Sequence, residues 1–494
     1  MSKSKAAKRK RKAQAELPNK QLKTSAVITP PPSDGASPEP KNLQTIVSDE
    51  ELDITIRASP YEQPSMNSAR LAPQASTMPA CTLILPALTS RQHVANVNWP
   101  TEGANLTSRI SGALVDGKYT EARILLAEMR IRGEQPKLGA LCRWVRDLDI
   151  ISGLSTKPSG DGHITVKRSA EDLDRLAVVD AILRVVGPTD SNIRALPNHS
   201  DPIAVQEVWN LRSSTDREEV YASVLDKTLL QSQSVTLGDS LRIIETTEGV
   251  DRKPPNHHPA ILYTSTPDAV PLASQGPSIS FQPHPVVPGL GLALNVLSPS
   301  ECKAIIAAGE TVNFIPDAPL REDGDISILA HNFYWVVDTA FHDALWSRIS
   351  PYVPASVGGR KARGINRRFR VYRYVPGAEY RCHIDGAWPP SGILPDDTYV
   401  YDASPAGKKQ SSLFTFLVYL NDEFEGGETT FFVPAAKEGT LNAYPVKPVM
   451  GAVAIFPHGE TRGALLHEGT GVRKGAKYVI RTDVEYDVEP SPEA

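Results

Sequence analysis

At 494 residues the chain is too long for one ordinary domain, and length alone suggests roughly three units, any unfolded tail included. Hydrophobic residues make up 40% and charged residues 22%, near globular averages, while 42 prolines against 6% aromatics point to long stretches that build no core. This balance excludes a collagen, a coiled coil and a wholly disordered chain, and a formal net charge of -4 excludes a global attraction to nucleic acid or to an anionic membrane. Cys81, Cys142, Cys302 and Cys382 lie far apart without a CxxC pair, which argues against a disulfide framework or structural zinc site and for a reducing compartment.

The N-terminus carries Lys8, Arg9, Lys10, Arg11 and Lys12 in succession, with no acidic residue before Glu16. Such a run resembles a nuclear localisation signal; a solvated basic tail is the plainer alternative. No apolar run approaches the ~18 to 20 residues of a membrane span, and the N-terminus lacks the apolar stretch of a secretory signal. The expectation is an intracellular protein of nucleus or cytoplasm with no membrane partner. Residues 17–80 are rich in Pro, Ser, Thr and Gln without periodicity, so residues 1–100 read as a disordered arm.

Apolar residues then recur three and four apart, as at Tyr119, Ala122, Leu125, Leu126 and Met129, and similar patterns run through Leu138–Leu148, Ala170–Val186 and 203–211. Residues 101–250 are therefore expected to form a helical domain. The stretch 114–136 looks like one pentatricopeptide-type helical hairpin, but a solenoid needs several stacked repeats, so a plain hairpin is the economical reading and nucleic-acid binding is not expected. Pro254, Pro255 and neighbouring Pro and Ser positions mark 251–280 as a linker, with His257 and His258 read as surface residues. Ser298 and Glu301 have capping-box spacing ahead of a short helix. From 365 to 486, short β-branched and aromatic runs alternate with turns, which predicts an antiparallel domain, a jelly roll preceded by helices. The fold class is α+β, with the last domain spanning 281–488 and its core 366–486.

The chemistry concentrates in this last region. Alternate side chains of a strand share a face, so His383 and Asp385 project to one side, and Cys382 and Ile384 to the other. His467, far along the chain in another strand-like run, is the third candidate. Two neutral imidazoles and one carboxylate suit non-haem iron(II) and leave three adjacent positions open. Lys477, ten positions after His467, opens a strand and would pair with the distal carboxylate of a dicarboxylic cosubstrate. Arg481 shares its face, but with Asp483 at the next same-face position it reads as a structural ion pair, and Lys477 is preferred.

These residues resemble the prolyl 4-hydroxylase-like catalytic domain of the iron(II)- and 2-oxoglutarate-dependent dioxygenases. The matching pieces are Tyr-x-Pro-Gly-x-x-Tyr-x-x-His-x-Asp over 374–385, Phe-Leu-Val-Tyr-Leu-Asn over 416–421, Glu-Gly-Gly-Glu-Thr over 425–429, and His467 followed by Lys477. The resemblance covers about a quarter of the chain. It implies a double-stranded β-helix fold with His383, Asp385 and His467 as iron ligands. It also implies Lys477 on the C5 carboxylate of 2-oxoglutarate, Tyr374 and Tyr419 as cosubstrate contacts, O2 as oxidant and ascorbate as reductant of oxidised iron. Hydroxylation of a prolyl or other residue of an intracellular protein is the function it implies. A vestigial nuclear scaffold, or an oxygenase acting on a small molecule or nucleic acid, are the alternatives.

Bottom-up, Thr415, Leu417 and Tyr419 face opposite to Phe414, Phe416 and Val418. Gly426-Gly427 reads as a tight turn of geometric function, and the irregular stretch 388–409 as a loop for substrate recognition. His163, His199 and His284 read as ordinary.

Overall fold

The computed structural model describes residues 105–155, 167–190, 201–213, 219–232, 237–252, 255–267, 269–274, 276, 278–320, 330–460 and 462–490. The basic run 8–12, the arm 1–100, Cys81, His163 and His199 lie outside the described residues. No helix among those described is long and apolar enough to cross a membrane.

Four helices open the described chain: α1 (Leu106–Val115), α2 (Tyr119–Arg132), α3 (Leu138–Leu148) and α4 (Ala170–Val186). Local chemistry sets their starts. The Asn105 side chain accepts from the Ser108 N–H ahead of α1, and Ser169 and Asp172 form a reciprocal capping box ahead of α4. In α3 the apolar residues Leu141, Trp144, Val145 and Leu148 fall on one face and are buried. The stretch 114–136, expected to be a hairpin, holds α2 and only the end of α1; the hairpin of α1 and α2 begins earlier, at Leu106, and α2 then packs on α4.

Two sheets follow. The smaller has the order β1 (Ile203–Val205), β11 (Leu441–Val446), β10 (Thr429–Pro434), β13 (Leu466–Gly469) and β8 (Tyr380–His383). The larger runs β2 (Leu241–Thr247), β3 (Ala260–Ser265), β6 (His331–Val336), β7 (Arg368–Tyr374), β14 (Lys477–Asp487), β9 (Gln410–Tyr419), β12 (Val453–Pro457), β5 (Gly291–Leu294) and β4 (Ser280–Pro283). The two face each other across a core that includes Tyr372, Tyr374, Tyr419, Phe431, Phe456 and Val479, the sandwich of a jelly roll. Helices α5 (Pro299–Val312) and α6 (Thr339–Ile349) cover the back of the larger sheet through Ile305, Ile306, Phe341 and Leu345. The expected capping box is present, with Ser298 and Glu301 opening α5.

The expected boundaries need three corrections. Residues 203–211 are not helical: Ile203 pairs in parallel with Leu441 and Val205 with Ala443, because an open sheet edge captures a short β-branched run whose periodicity cannot tell strand from helix. The linker expected over 251–280 contains β3, which pairs with β2 and, in parallel, with β6. The helices of 101–250 are also no separate domain. α1–α4 share one core with Cys382, Ile384, Phe432, Leu441 and Leu466, and so form the outer layer of the smaller sheet. A layer without its own closed core leaves no local signal of its partner in the sequence.

One buried ion pair fastens that layer. Arg184 Nε lies 2.8 Å from Asp180 Oδ2, both side chains nearly inaccessible, and the guanidinium also donates to the carbonyls of Ala435 and Lys437. Removing one partner strands a buried charge. Asp180→Ala is expected to cost about 3 kcal/mol in denaturant unfolding, and Asp180→Ala/Arg184→Met to recover part of it.

Candidate metal centre

The parity argument places the first two donors. β8 ends at His383, with Asp385 two residues on; Cys382 and Ile384 point the other way, into the core under α1–α4. β13 lies antiparallel to β8 with His467 directly opposite His383. The donor atoms of His383, Asp385 and His467 all lie within 4.8 Å of one another, the one such group found among the described residues.

The histidine tautomers follow from their neighbours. A carbonyl oxygen can only accept, so His383 Nδ1–H donates to Arg381 O at 2.7 Å and His467 Nδ1–H to Leu465 O at 3.1 Å. In the neutral ring this leaves the lone pair on Nε2, and the two Nε2 atoms face Asp385 Oδ1 at 3.5 Å and Oδ2 at 3.6 Å. Burial lowers the His467 imidazole to about 3, which keeps it neutral. Burial pushes the Asp385 carboxyl upward, but the opposing charges, Arg481 foremost, hold it well below the carboxylate range. Two lone pairs and one carboxylate converging on one point fit a divalent cation of the iron class.

A chain of hydrogen bonds with one allowed direction supports Asp385. The carboxylate accepts from Thr415 Oγ1 at 2.6 Å, and Thr415 in turn accepts from His458 Nδ1–H at 2.7 Å. His458 Nε2 then accepts from Ser412 Oγ at 2.8 Å, and Ser412 accepts from the Trp388 backbone N–H at 2.9 Å. Burial lowers His458 to about 3, so this imidazole too is neutral. Thr415 has the parity read from the sequence. His458 and Ser412 had no local signal, because they meet Asp385 only through strand pairing.

Beside the three donors lies a cavity that also includes Tyr372, Tyr374, Thr429 and Lys477 in its lining. Lys477 is 4% exposed and donates to Gly427 O at 2.8 Å, and its ammonium faces the rings of Tyr374 and Tyr419 at 5.6 and 5.8 Å. Among the described residues no carboxylate forms an ion pair with it. Burial lowers it to about 8. Gly427 has φ +67°, and a Cβ there would come within 2.7 Å of the Phe424 ring, so the turn at 426–427 does require glycine to present this carbonyl. Tyr374 stands opposite Lys477 in register. The Tyr419 hydroxyl is engaged by Thr429 at 2.8 Å, so its ring rather than its oxygen faces the ammonium. Arg481 forms the ion pair read from the sequence, 3.3 Å from Asp483, and also lies 3.5 Å from Asp385.

A second cleft, also open to solvent, meets His383 and Asp385 and is lined in part by Arg368, Arg370, Trp388 and Ser391. The stretch 388–409 thus contributes a wall, with a two-strand turn at Gly392–Ile393 and Tyr399–Val400. α3 contributes Cys142 and Arg146, residues the sequence offered no reason to single out. His284, read as ordinary, accepts the N–H of Val286 and Val287.

Residues 369–482, which include all three donors and Lys477, match the family model of the 2OG-Fe(II) oxygenase superfamily. Comparison with curated proteins gives no match. Among solved structures, the chain is similar to the viral collagen prolyl hydroxylase of Paramecium Bursaria Chlorella virus-1 at 22% identity, over 40% of this chain and 97% of that one, with a TM-score of 0.26. A Pseudomonas putida prolyl-4-hydroxylase is similar at 18% identity over 40% and 91%, TM-score 0.25. A Trichoplax adhaerens prolyl hydroxylase, solved with a hypoxia inducible factor peptide fragment, is similar at 15% over 54% and 78%, TM-score 0.21.

Proposed function

We propose that this chain, whose residues 369–482 match the family model of the 2OG-Fe(II) oxygenase superfamily, is a 2-oxoglutarate-dependent dioxygenase that hydroxylates a residue, proline first, of a protein substrate. The observation that carries the reading is the pairing of two features around one cavity: three convergent metal donors, and a buried lysine with no carboxylate ion-paired to it among the described residues. A scaffold has use for neither, and a buried uncompensated cation is costly to keep. Proline rests on the motif over 374–385, and ascorbate as reductant on the same family resemblance.

His383 and His467 would hold iron(II) through Nε2, and Asp385 through its carboxylate. When bound, the iron supplies dioxygen activation and the oxidative decarboxylation of 2-oxoglutarate to succinate and CO2, coupled to hydroxylation of a substrate C–H bond. The residues do the positioning. Arg381 O and Leu465 O fix the imidazole tautomers; Thr415 and Arg481 orient Asp385; Lys477 takes the distal carboxylate, with Tyr374 and Tyr419 walling its ammonium from water.

The test is succinate formation from 2-oxoglutarate by the full-length protein supplied with iron(II). Iron-dependent succinate is expected even without a peptide; folded protein that forms none and binds no iron(II) contradicts the reading. Thr415→Val keeps the shape but removes the hydroxyl between His458 and Asp385. It is expected to weaken iron(II) affinity about 10- to 100-fold, the usual cost of losing a partner of a metal ligand, measured by iron titration.

A further inference from the structure

The open cleft carries a charge pattern that the proposed function uses only through the contact of Arg481 with Asp385. Arg370 on β7 and Arg481 on β14 are direct partners in register, two like charges side by side on neighbouring strands. Such pairs are destabilising unless something negative lies between or above them. The anions present are shared. Asp317 accepts from Arg370 at 2.7 Å and also holds Arg252 at 2.8 Å, while Arg481 lies near Asp483 and Asp385, the latter assigned above to the metal. The Nε–H groups of Arg370 and Arg481 are buried donors without an acceptor. Trp388, 7% exposed and lining the same cleft, likewise has its Nε1–H unpartnered. The Tyr334 ring lies 4.7 Å from the Arg368 guanidinium and 5.1 Å from that of Arg370, a stacked arrangement that holds these cations rigid.

We infer that the substrate of this site is an acidic peptide, in which a carboxylate side chain close to the hydroxylated residue docks on Arg370 and Arg481. The inference rests on the oxygenase reading and names its substrate class. Guanidinium is weakly hydrated and suited to forked recognition of a carboxylate, so a stiff, partly desolvated arginine pair gains most from that partner. The cleft continues past this pair to Arg146 on α3 and to Trp388 and Ser391, segments far apart in the chain, which favours a peptide over a small acid.

The test uses the full-length protein with iron(II) and 2-oxoglutarate and an arrayed library of proline-containing peptides in matched sets, differing only in Glu, Gln or Lys beside the proline. Succinate release above the peptide-free rate and oxygen addition to the peptide are both read, with free glutamate and proline as small-molecule arms. Glu peptides are expected to exceed their Gln partners in kcat/KM by about tenfold or more at low salt, and Lys peptides to be poorest, the preference shrinking as salt rises. Arg370→Gln is expected to bring the Glu-to-Gln ratio toward one and Arg370→Lys to retain part of it; because the ratio is taken within each protein, any general loss of activity cancels. Equal use of Glu and Gln peptides, stimulation only by the small acids, or peptide-free succinate that no library member raises each overturns the inference and leaves the oxygenase reading standing. Absence of succinate under every condition overturns that reading instead.

Discussion

Asp385→Ala is expected to abolish iron-dependent succinate formation, by far more than the ~10- to 100-fold that loss of a merely supporting partner costs. Asp385 is the only anionic donor of the three, and it sits at the junction of the two imidazole Nε2 atoms, the Thr415 hydroxyl and Arg481. Without it two imidazoles remain beside an arginine, with no anion to hold a cation. The same substitution should erase the effect of iron(II) on stability. A ligand that binds only the folded state adds about 2.7 kcal/mol at a hundred times its Kd, so wild type should melt higher with iron(II) present and Asp385→Ala should not. His383→Ala and His467→Ala should follow. Unfolding without metal separates loss of the site from loss of the fold: Arg481 keeps Asp483 in the Asp385 variant, so its apo form should remain folded.

Lys477→Met should raise the KM for 2-oxoglutarate about 10- to 100-fold, the worth of a hydrogen bond to a charged partner, with a smaller change in kcat. The lysine also sets a pH signature. Burial lowers it from 10.5 to about 8, so the free protein carries the cation below pH 8 and loses it above. Binding a carboxylate requires the protonated form. Affinity should therefore be flat below pH 8 and fall about tenfold per unit above it, while Lys477→Arg should remain flat. Stability runs in the opposite sense: between 8 and 10.5 the unfolded chain binds the proton that the folded chain does not, so this group's contribution to stability rises with pH there. Titration calorimetry with 2-oxoglutarate across this range checks the first, and denaturant unfolding of wild type and Lys477→Met the second.

What was legible in the sequence is what depends on spacing along the chain. Helical periodicity fixed α3 and α4, and strand parity put His383 and Asp385 on one side with Cys382 and Ile384 on the other. Parity also put Thr415 on the same side as Tyr419 and away from Phe416, although its hydrogen bond to Asp385 went unread. What was not legible depends on pairing between distant segments. Ile203 becomes a strand because β11 offers an edge, β3 joins the large sheet across seventy residues, and α1–α4 find their core on the smaller sheet. His458 and Arg370 were missed for the same reason: each is unremarkable locally and acquires meaning only beside Asp385 or Arg481, whereas Trp388 opens the stretch read as a recognition loop. Tyr372 was within reach, since it shares the parity of Tyr374 and lines the same cavity.

The central claim, that the convergence of His383, Asp385 and His467 beside Lys477 is the centre of a 2-oxoglutarate-dependent dioxygenase, is tested most directly by the fate of isotopically heavy dioxygen. The full-length protein is incubated with iron(II), 2-oxoglutarate and heavy O2, and the succinate formed is weighed by mass spectrometry. One heavy oxygen atom per succinate from wild type, with no succinate from Asp385→Ala, is the predicted result. Succinate free of the label, or labelled succinate formed equally by Asp385→Ala, contradicts it.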